Sequence, residues 1–228
     1  MAIILHIETA VDVCSVAIAN EGKLISLRES YEPRIHAAMT AVFVKEAVEE
    51  AGITLQKVDA IAVSKGPGSY TGLRIGVATA KGLCFSLDKP LIAVDTLRAM
   101  AATYLLDHPH NSIDNLLVPL IDARRMEVYG CVLDHQLNYI EATKAEVLSE
   151  NSFMIHPKLS RIIFGDGAAK TETVFSDHLN VKIVTNFKHS ARGLVALALN
   201  SFNNNQFENI AYFEPYYLKE FLDNKPKN

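Results

Sequence analysis

Ser64-Lys65-Gly66-Pro67-Gly68-Ser69-Tyr70-Thr71-Gly72-Leu73-Arg74-Ile75-Gly76 is the stretch whose reading decides the fold. It follows an apolar run, Val58 to Val63, that reads as a buried strand, and leads into Leu73 to Phe85, which reads as a helix. Glycine tolerates backbone angles that other residues avoid. Ser69 or Thr71 can cap the helix by accepting from its first free N–H groups. The local object is therefore strand, glycine turn and helix N-terminus, a corner whose amides and helix dipole favour an anion.

It is not a standard phosphate loop. Five residues after Gly66 stands Thr71, and five after Gly68 stands Leu73, where a P-loop needs glycine before Lys and Ser/Thr. The dinucleotide fingerprint fails as well, because Thr71 takes the place of its third glycine. A structural turn with tight helix packing is the plainer reading. Gly72, Gly76 and Ala80 then fall on one helix face at four-residue spacing, with Gly82 beyond. Interior glycines each cost about 1 kcal/mol relative to alanine, so this face is expected to admit another backbone closely.

The surrounding chain reads as α/β. Ile3–Ile7, Val13–Ala19 and Leu24–Glu29 are expected strands, with hairpins at Glu8 to Asp12 and Asn20-Glu21-Gly22. A helix from Ile35 to Ala51, strand Leu91–Val94 and a helix from Leu97 to Leu106 complete a βββαβαβα half. The pattern then restarts. Leu116–Ile121, Glu127–Leu133 and a stretch near Glu141 to Leu148 read as strands. Arg161–Phe164 runs into Gly165-Asp166-Gly167, Val181–Val184 is a strand and Ala191–Phe202 a helix. Leu5–Ile18 resembles Leu120–Leu133, and Ile61–Gly66 resembles Ile162–Gly167, in the same order, so the chain reads as an internal duplication. The expected boundary lies near 106: residues 1–106 form one half, and 107–228 a second, reduced half with a disordered tail at 223–228.

Composition narrows the partners. With 228 residues, 49% hydrophobic and 21% charged, the chain suits a soluble protein with a full core. Its net charge is −4 and no basic run stands out, which argues against a nucleic-acid surface on this chain alone. Cys14, Cys84 and Cys131 are scattered in apolar segments and read as reduced thiols of a cytoplasmic protein. The first strand follows directly on the initial residues, so no signal peptide is expected, and no apolar run is long enough to span a membrane.

Two βββαβαβα halves facing a cleft describe the actin, sugar-kinase and Hsp70 ATPase (ASKHA) architecture. The glycine segment, Ile121-Asp122-Ala123-Arg124-Arg125-Met126-Glu127-Val128-Tyr129 and the late Pro215-Tyr216-Tyr217-Leu218 closely resemble the TsaB (YeaZ) family. The resemblance runs from the first strand to nearly the C-terminus and is weakest between Leu133 and Ser160. It implies a bacterial partner protein in making threonylcarbamoyladenosine in tRNA.

Catalytic groups are scarce. The phosphate hairpins of actin-like ATPases carry an acid and then glycine. Here the first reads Glu8-Thr9-Ala10-Val11-Asp12 and the second Asp122-Ala123-Arg124-Arg125, an acid in each but no glycine. The catalytic sister family, TsaD, holds a metal with two histidines one helical turn apart, whereas His36 is followed four residues on by Thr40. His108 and His110 lie two apart beside Pro109, and the other histidines are scattered. Ser69 is in no G-x-S-x-G elbow, and Cys14 and Cys84 have no base nearby in sequence. The expectation is a pseudo-enzyme with no catalytic, metal or cofactor-binding residue of its own, the resemblance leaving room for an adenine nucleotide at the interface with its partner.

The helix at 35–51 is apolar on more than one side. Ile35, Ala38, Met39 and Val42 form a stripe, Ala37, Ala41 and Val44 widen it, and Phe43, Ala47, Val48 and Ala51 continue it. A helix on a sheet needs one stripe of about 100°. The resemblance implies that this helix and the next dock onto a TsaD-type transferase, with His36, Met39, Phe43, Gly72, Arg74, Gly76 and Ala80 as interface candidates. It further implies a TsaE-type ATPase in a larger complex, self-pairing of the isolated chain and contact with tRNA only through the complex. Two alternatives remain open at this level. One is a stand-alone ATP-binding phosphotransferase with Glu8 and Asp122 around magnesium and Gly165-Asp166-Gly167 near adenosine; the other is a purely structural homodimer.

Overall fold

A computed structural model describes residues 2–176 and 178–219. The expected tail at 223–228 lies outside them.

The first sheet is built from β1 (Ile3–Glu8), β2 (Cys14–Asn20), β3 (Lys23–Ser30), β4 (Ala60–Gly66) and β5 (Leu91–Asp95), in the order β3-β2-β1-β4-β5. β1, β2 and β3 pair antiparallel; β4 joins β1 and β5 joins β4 in parallel. The second sheet contains β6 (Leu116–Asp122), β7 (Glu127–Leu133), β8 (Tyr139–Val147), β9 (Arg161–Phe164) and β10 (Val181–Val184), in the order β10-β9-β6-β7-β8. Its hairpin strands are antiparallel and its outer two parallel, so it repeats the first sheet strand for strand. This is the duplicated actin-like arrangement.

Among the described residues the α-helices are α1 (His36–Glu50), α2 (Tyr70–Leu87), α3 (Thr96–Asp107), the one-turn α4 (Glu172–Phe175) and α5 (Val195–Asn203). α2 begins three residues before the apolar pattern suggests, because Ser69 rather than Thr71 caps it, accepting from Gly72 N at 3.3 Å. It stops at Asp88, whose left-handed φ of 52° turns the chain away. Asp95 caps α3, accepting from Arg98 N at 3.2 Å. The helix expected from 191 opens as a 3₁₀ turn, Ala191–Leu194, before α5.

α1 and α2 cover one face of the first sheet, where Phe43, Val44, Ala47, Val77 and Ala80 meet Leu5, Ile7, Val16 and Ile18. The other face holds Ile4, Ala60, Ala62, Ile92 and Val94 against Ala99 of α3 and Leu194 and Ala198 from the C-terminal part. α3 also packs on the second sheet through Leu97, Met100 and Tyr104. It is thus shared between the sheets, and α5, late in sequence, returns to the first.

Among the described residues the second half has no counterpart of α1. Phe153 and Leu148 cover that face instead, against Val118, Leu120 and Val132. The loop carrying Phe153 is tied down by buried Arg161. Its guanidinium donates to the carbonyls of Phe153 (2.5 Å), His156 (3.1 Å), Leu159 (3.3 Å) and Ile155 (3.4 Å). A charge-assisted fan of this kind does for a loop what backbone bonding does inside a helix.

Candidate functional site

The glycine corner is filled by the chain's own first hairpin. Ser69 N donates to Ala10 O at 2.6 Å, so a leading amide of the corner is already used. A Cβ on Gly68 would collide with Ala10 O, and one on Gly72 with Thr9 O. Gly76 faces the Thr9 side chain, whose hydroxyl donates to Gly72 O at 2.8 Å. The backbone that the small-residue stripe admits is therefore the Thr9–Ala10 segment. Gly66, with φ 118°, abuts Tyr216 O, and Tyr216 N donates to Lys65 O at 2.7 Å, so the C-terminal segment covers the turn from the other side. The structural reading of the turn is the one that holds, and the anion corner is occupied by protein.

Glu8, the acid of the first hairpin, is fully buried. Its Oε1 accepts from Ala10 N at 2.7 Å, and its Oε2 from Ser64 Oγ and from His189 Nε2 at 2.8 Å. Burial works to raise its pKa, but the His189 charge and the three hydrogen bonds outweigh it and hold the carboxyl below its ordinary range. His189 Nδ1 meets Thr103 Oγ1 at 3.1 Å, so both ring nitrogens are engaged. A carboxylate held in this way has little left to offer a metal ion.

The second hairpin is open to solvent. Asp122 Oδ1 accepts from Arg124 N and Lys170 Nζ, each at 2.6 Å, and Asp122 N donates to Asp166 Oδ1 at 3.2 Å. Asp122 thus serves as a turn and ion-pair residue, while Arg124 and Arg125 take left-handed φ values of 71° and 51° at the tip. Desolvation, with the charges of Asp12 and Asp122 adding, pushes Asp166 up to about 6. Gly165 and Gly167 pack on β6 rather than leaving space beside it, Gly167 N donating to Leu120 O at 3.1 Å. Among the described residues no group of three His, Cys, Asp or Glu side chains is placed to hold a metal.

The seven interface candidates separate by burial. Gly72, Gly76 and Ala80 are buried within the chain, and Phe43, 7% exposed, is core between α1 and β2. These four present little or no surface to a partner, because the hairpin and sheet already occupy their side of each helix. Met39 is half-buried on the same core. His36 is half-buried, its Nε2 close to Val11 O (2.9 Å) and Val13 O (3.1 Å), and it clamps the hairpin to α1. Arg74 is exposed, its guanidinium 4.4 Å from the Tyr70 ring centre.

The surface that α1 and α2 do expose is apolar. Ala37, Ala38, Ala41 and Val42 (39%) open outward from α1, and Ala78, Gly82 and Phe85 (85%) from α2. A groove of about 460 Å³ runs along it, with Ala41, Val44, Val48, Ile53, Leu55 and Leu83 in its walls and Lys45, Glu49 and Gln56 at its rim. Phe85 escaped the sequence reading. The signal was present: Leu73, Val77, Ala80 and Cys84 mark the buried face, and Phe85 lies one residue off it.

Comparison with known proteins came to consistent relatives. Residues 32–225 match the family model described as TsaD, tRNA N6-adenosine threonylcarbamoyltransferase. The Bacillus subtilis tRNA threonylcarbamoyladenosine biosynthesis protein TsaB is 30% identical over 195 residues, covering 83% of this chain and 82% of that protein. The Haemophilus influenzae protein of the same name is 37% identical over 127 residues, 55% of this chain and about half (51%) of that relative's length. Among solved structures, YeaZ from Pseudomonas aeruginosa superposes with a TM-score of 0.84 at 26% identity, covering 96% of this chain and 100% of that one.

Proposed function

This chain belongs to the TsaB (YeaZ) family, whose relatives are named for tRNA threonylcarbamoyladenosine biosynthesis, and from that premise we propose that it is a non-catalytic subunit that binds and activates a TsaD-type transferase. The reaction served is threonylcarbamoylation of the adenosine next to the anticodon, in tRNAs reading codons that begin with A. A TsaE-type ATPase completes the assembly, and tRNA is met through the complex.

The observation that carries this reading is the apolar outer face of α1 and α2. Val42 and Phe85 stand exposed on α1 and α2, and both helices also contribute to a groove walled by Val44, Val48, Ile53 and Leu83. An apolar surface with a polar rim is the anatomy of a protein interface. The docking residues are then the outward ones, with Arg74 and the edges of Met39 and His36 at the margin, and Gly72, Gly76, Ala80 and Phe43 acting from beneath as the support of the helix pair. Docking would activate by preferring one state of the transferase. The closed environment of Glu8 weighs against the stand-alone phosphotransferase, since its oxygens are taken by Ser64, His189 and Ala10.

The test is size-exclusion with light scattering on this protein, the TsaD-type transferase from the same source, and their mixture. A 1:1 heterodimer is expected, and Ala41→Glu or Phe85→Asp should abolish it without moving the melting temperature of the isolated chain. Two unchanged peaks in the mixture would overturn the proposal.

A further inference from the structure

Away from α1 and α2, a cleft of about 380 Å³ opens where the two halves meet. Lys65 at the end of β4 and Asp95 at the end of β5 line one side, Ala142, Thr143 and Tyr139 of β8 the other, and Tyr216 completes it. The two charged residues come from neighbouring parallel strands, Gly66 standing opposite Asp95 in the ladder. The Lys65 charge is felt by the Asp95 carboxyl, yet no ion pair joins them among the described residues.

Asp95 has capacity to spare. One oxygen accepts from Arg98 N at 3.2 Å, and the Tyr139 hydroxyl bonds to the carboxyl. A carboxylate offers about four acceptor sites, so roughly two remain. Burial raises the Asp95 pKa, and the Arg98 amide, the Lys65 charge, the Tyr139 hydroxyl and the Arg98 charge together offset that only in part, so a further positive group would be favoured there. Tyr139 is held in place from behind, the Arg98 guanidinium lying 5.8 Å from its ring centre. Tyr216 is anchored at Lys65 by its backbone amide at 2.7 Å.

An ammonium and a carboxyl that share a cleft without touching leave a gap that fits a ligand carrying the opposite pair. We propose that this cleft binds a small zwitterion of the α-amino acid class, its carboxylate on Lys65, its ammonium on Asp95, and its side chain along β8 at Ala142 and Thr143. The cleft is small, concave and mixed in polarity, as small-molecule sites are. Because its walls come from both sheets, occupancy would also bias how the halves sit together. The site is independent of the docking face, so it can stand or fall without the partner-subunit reading.

The test is an amide NMR titration of the full isotope-labelled chain with L-threonine, L-alanine and L-glutamate, and with propionate and inorganic phosphate as bare anions. Saturable shifts are expected at Lys65–Gly66, Asp95–Thr96 and Thr143 with amino acids only. Asp95→Asn keeps the helix cap, since Asn caps as well as Asp, and Lys65→Met keeps the stem. Each should weaken binding tenfold or more, and Thr143→Val, remote from the cap, should change the ranking among amino acids. No shift at roughly 10 mM ligand, a response to propionate equal to that of the amino acids, or a response unchanged in Asp95→Asn would each overturn the proposal.

Discussion

Gly72 and Gly76 show how one atom per residue fixes an architecture. Their missing Cβ atoms let Thr9 lie against α2, and Gly76→Val should destabilise the isolated chain by about 2–4 kcal/mol, as overpacking a rigid contact does. The check is urea unfolding with no partner present; a variant as stable as the parent would remove the structural role assigned to the stripe. His6 is a second case. It is fully buried with Nδ1 3.3 Å from Ala17 O, and burial lowers its pKa to about 4. A depressed histidine favours the folded state fully above its ordinary value near 6.5, and that advantage is lost as pH falls from there toward 4, at up to about 1.4 kcal/mol per unit. Denaturation midpoints of His6→Gln, followed from pH 7 to 4, should therefore fall less steeply than those of the parent. Sequence placed His6 in a strand but could not show that both flanks of that strand are covered.

At the scale of elements, the helices were legible and their surroundings were not. The period of apolar residues placed α1, α2 and α3 within a few residues, because local pattern and cap chemistry set helix bounds. Which side of α1 faces the sheet depends on β2 and β3, so Phe43 turned inward and Ala41 outward without any local mark of the difference. The loop between β8 and β9 is the converse case. It carries little pattern, yet Arg161 orders it through four carbonyls. Replacing that side chain by methionine leaves the carbonyls unpaired under cover, and a loss of about 2–4 kcal/mol is expected. Hydrogen exchange at 150–160 should rise more than in the first sheet; uniform exchange would show that the loop does not depend on Arg161.

At the scale of the molecule, Glu8 and His189 stand 181 residues apart in sequence and 2.8 Å apart in space. The pair ties the first hairpin to the segment leading into α5, and Tyr31 Oη, donating to His189 O at 3.1 Å, adds a second tie. His189→Ala should cost about 3–5 kcal/mol, because it leaves a fully buried carboxylate oxygen without its His189 partner. The Glu8 pKa is depressed in the fold, so the pair's contribution is present above the ordinary carboxylate value and lost as pH falls through the lowered one. The parent and His189→Ala should accordingly converge in stability under strong acid, and curves that stay parallel to low pH would separate the pair from acid unfolding.

The sequence by itself determined the two-fold repetition, the order of strands and helices, and the departures from phosphate-binding patterns at both hairpins and at the glycine turn. Those features reside in local periodicity and in residue type at fixed spacing, which neighbours along the chain suffice to specify. Only the tertiary structure decided that the small-residue stripe faces the protein's own hairpin, that Glu8 is sealed by His189, that Phe85 is left outside, and that Lys65 and Asp95 face one cleft. Each of these depends on contacts between residues far apart in sequence, and burial is a property of the whole assembly of elements that no single element carries.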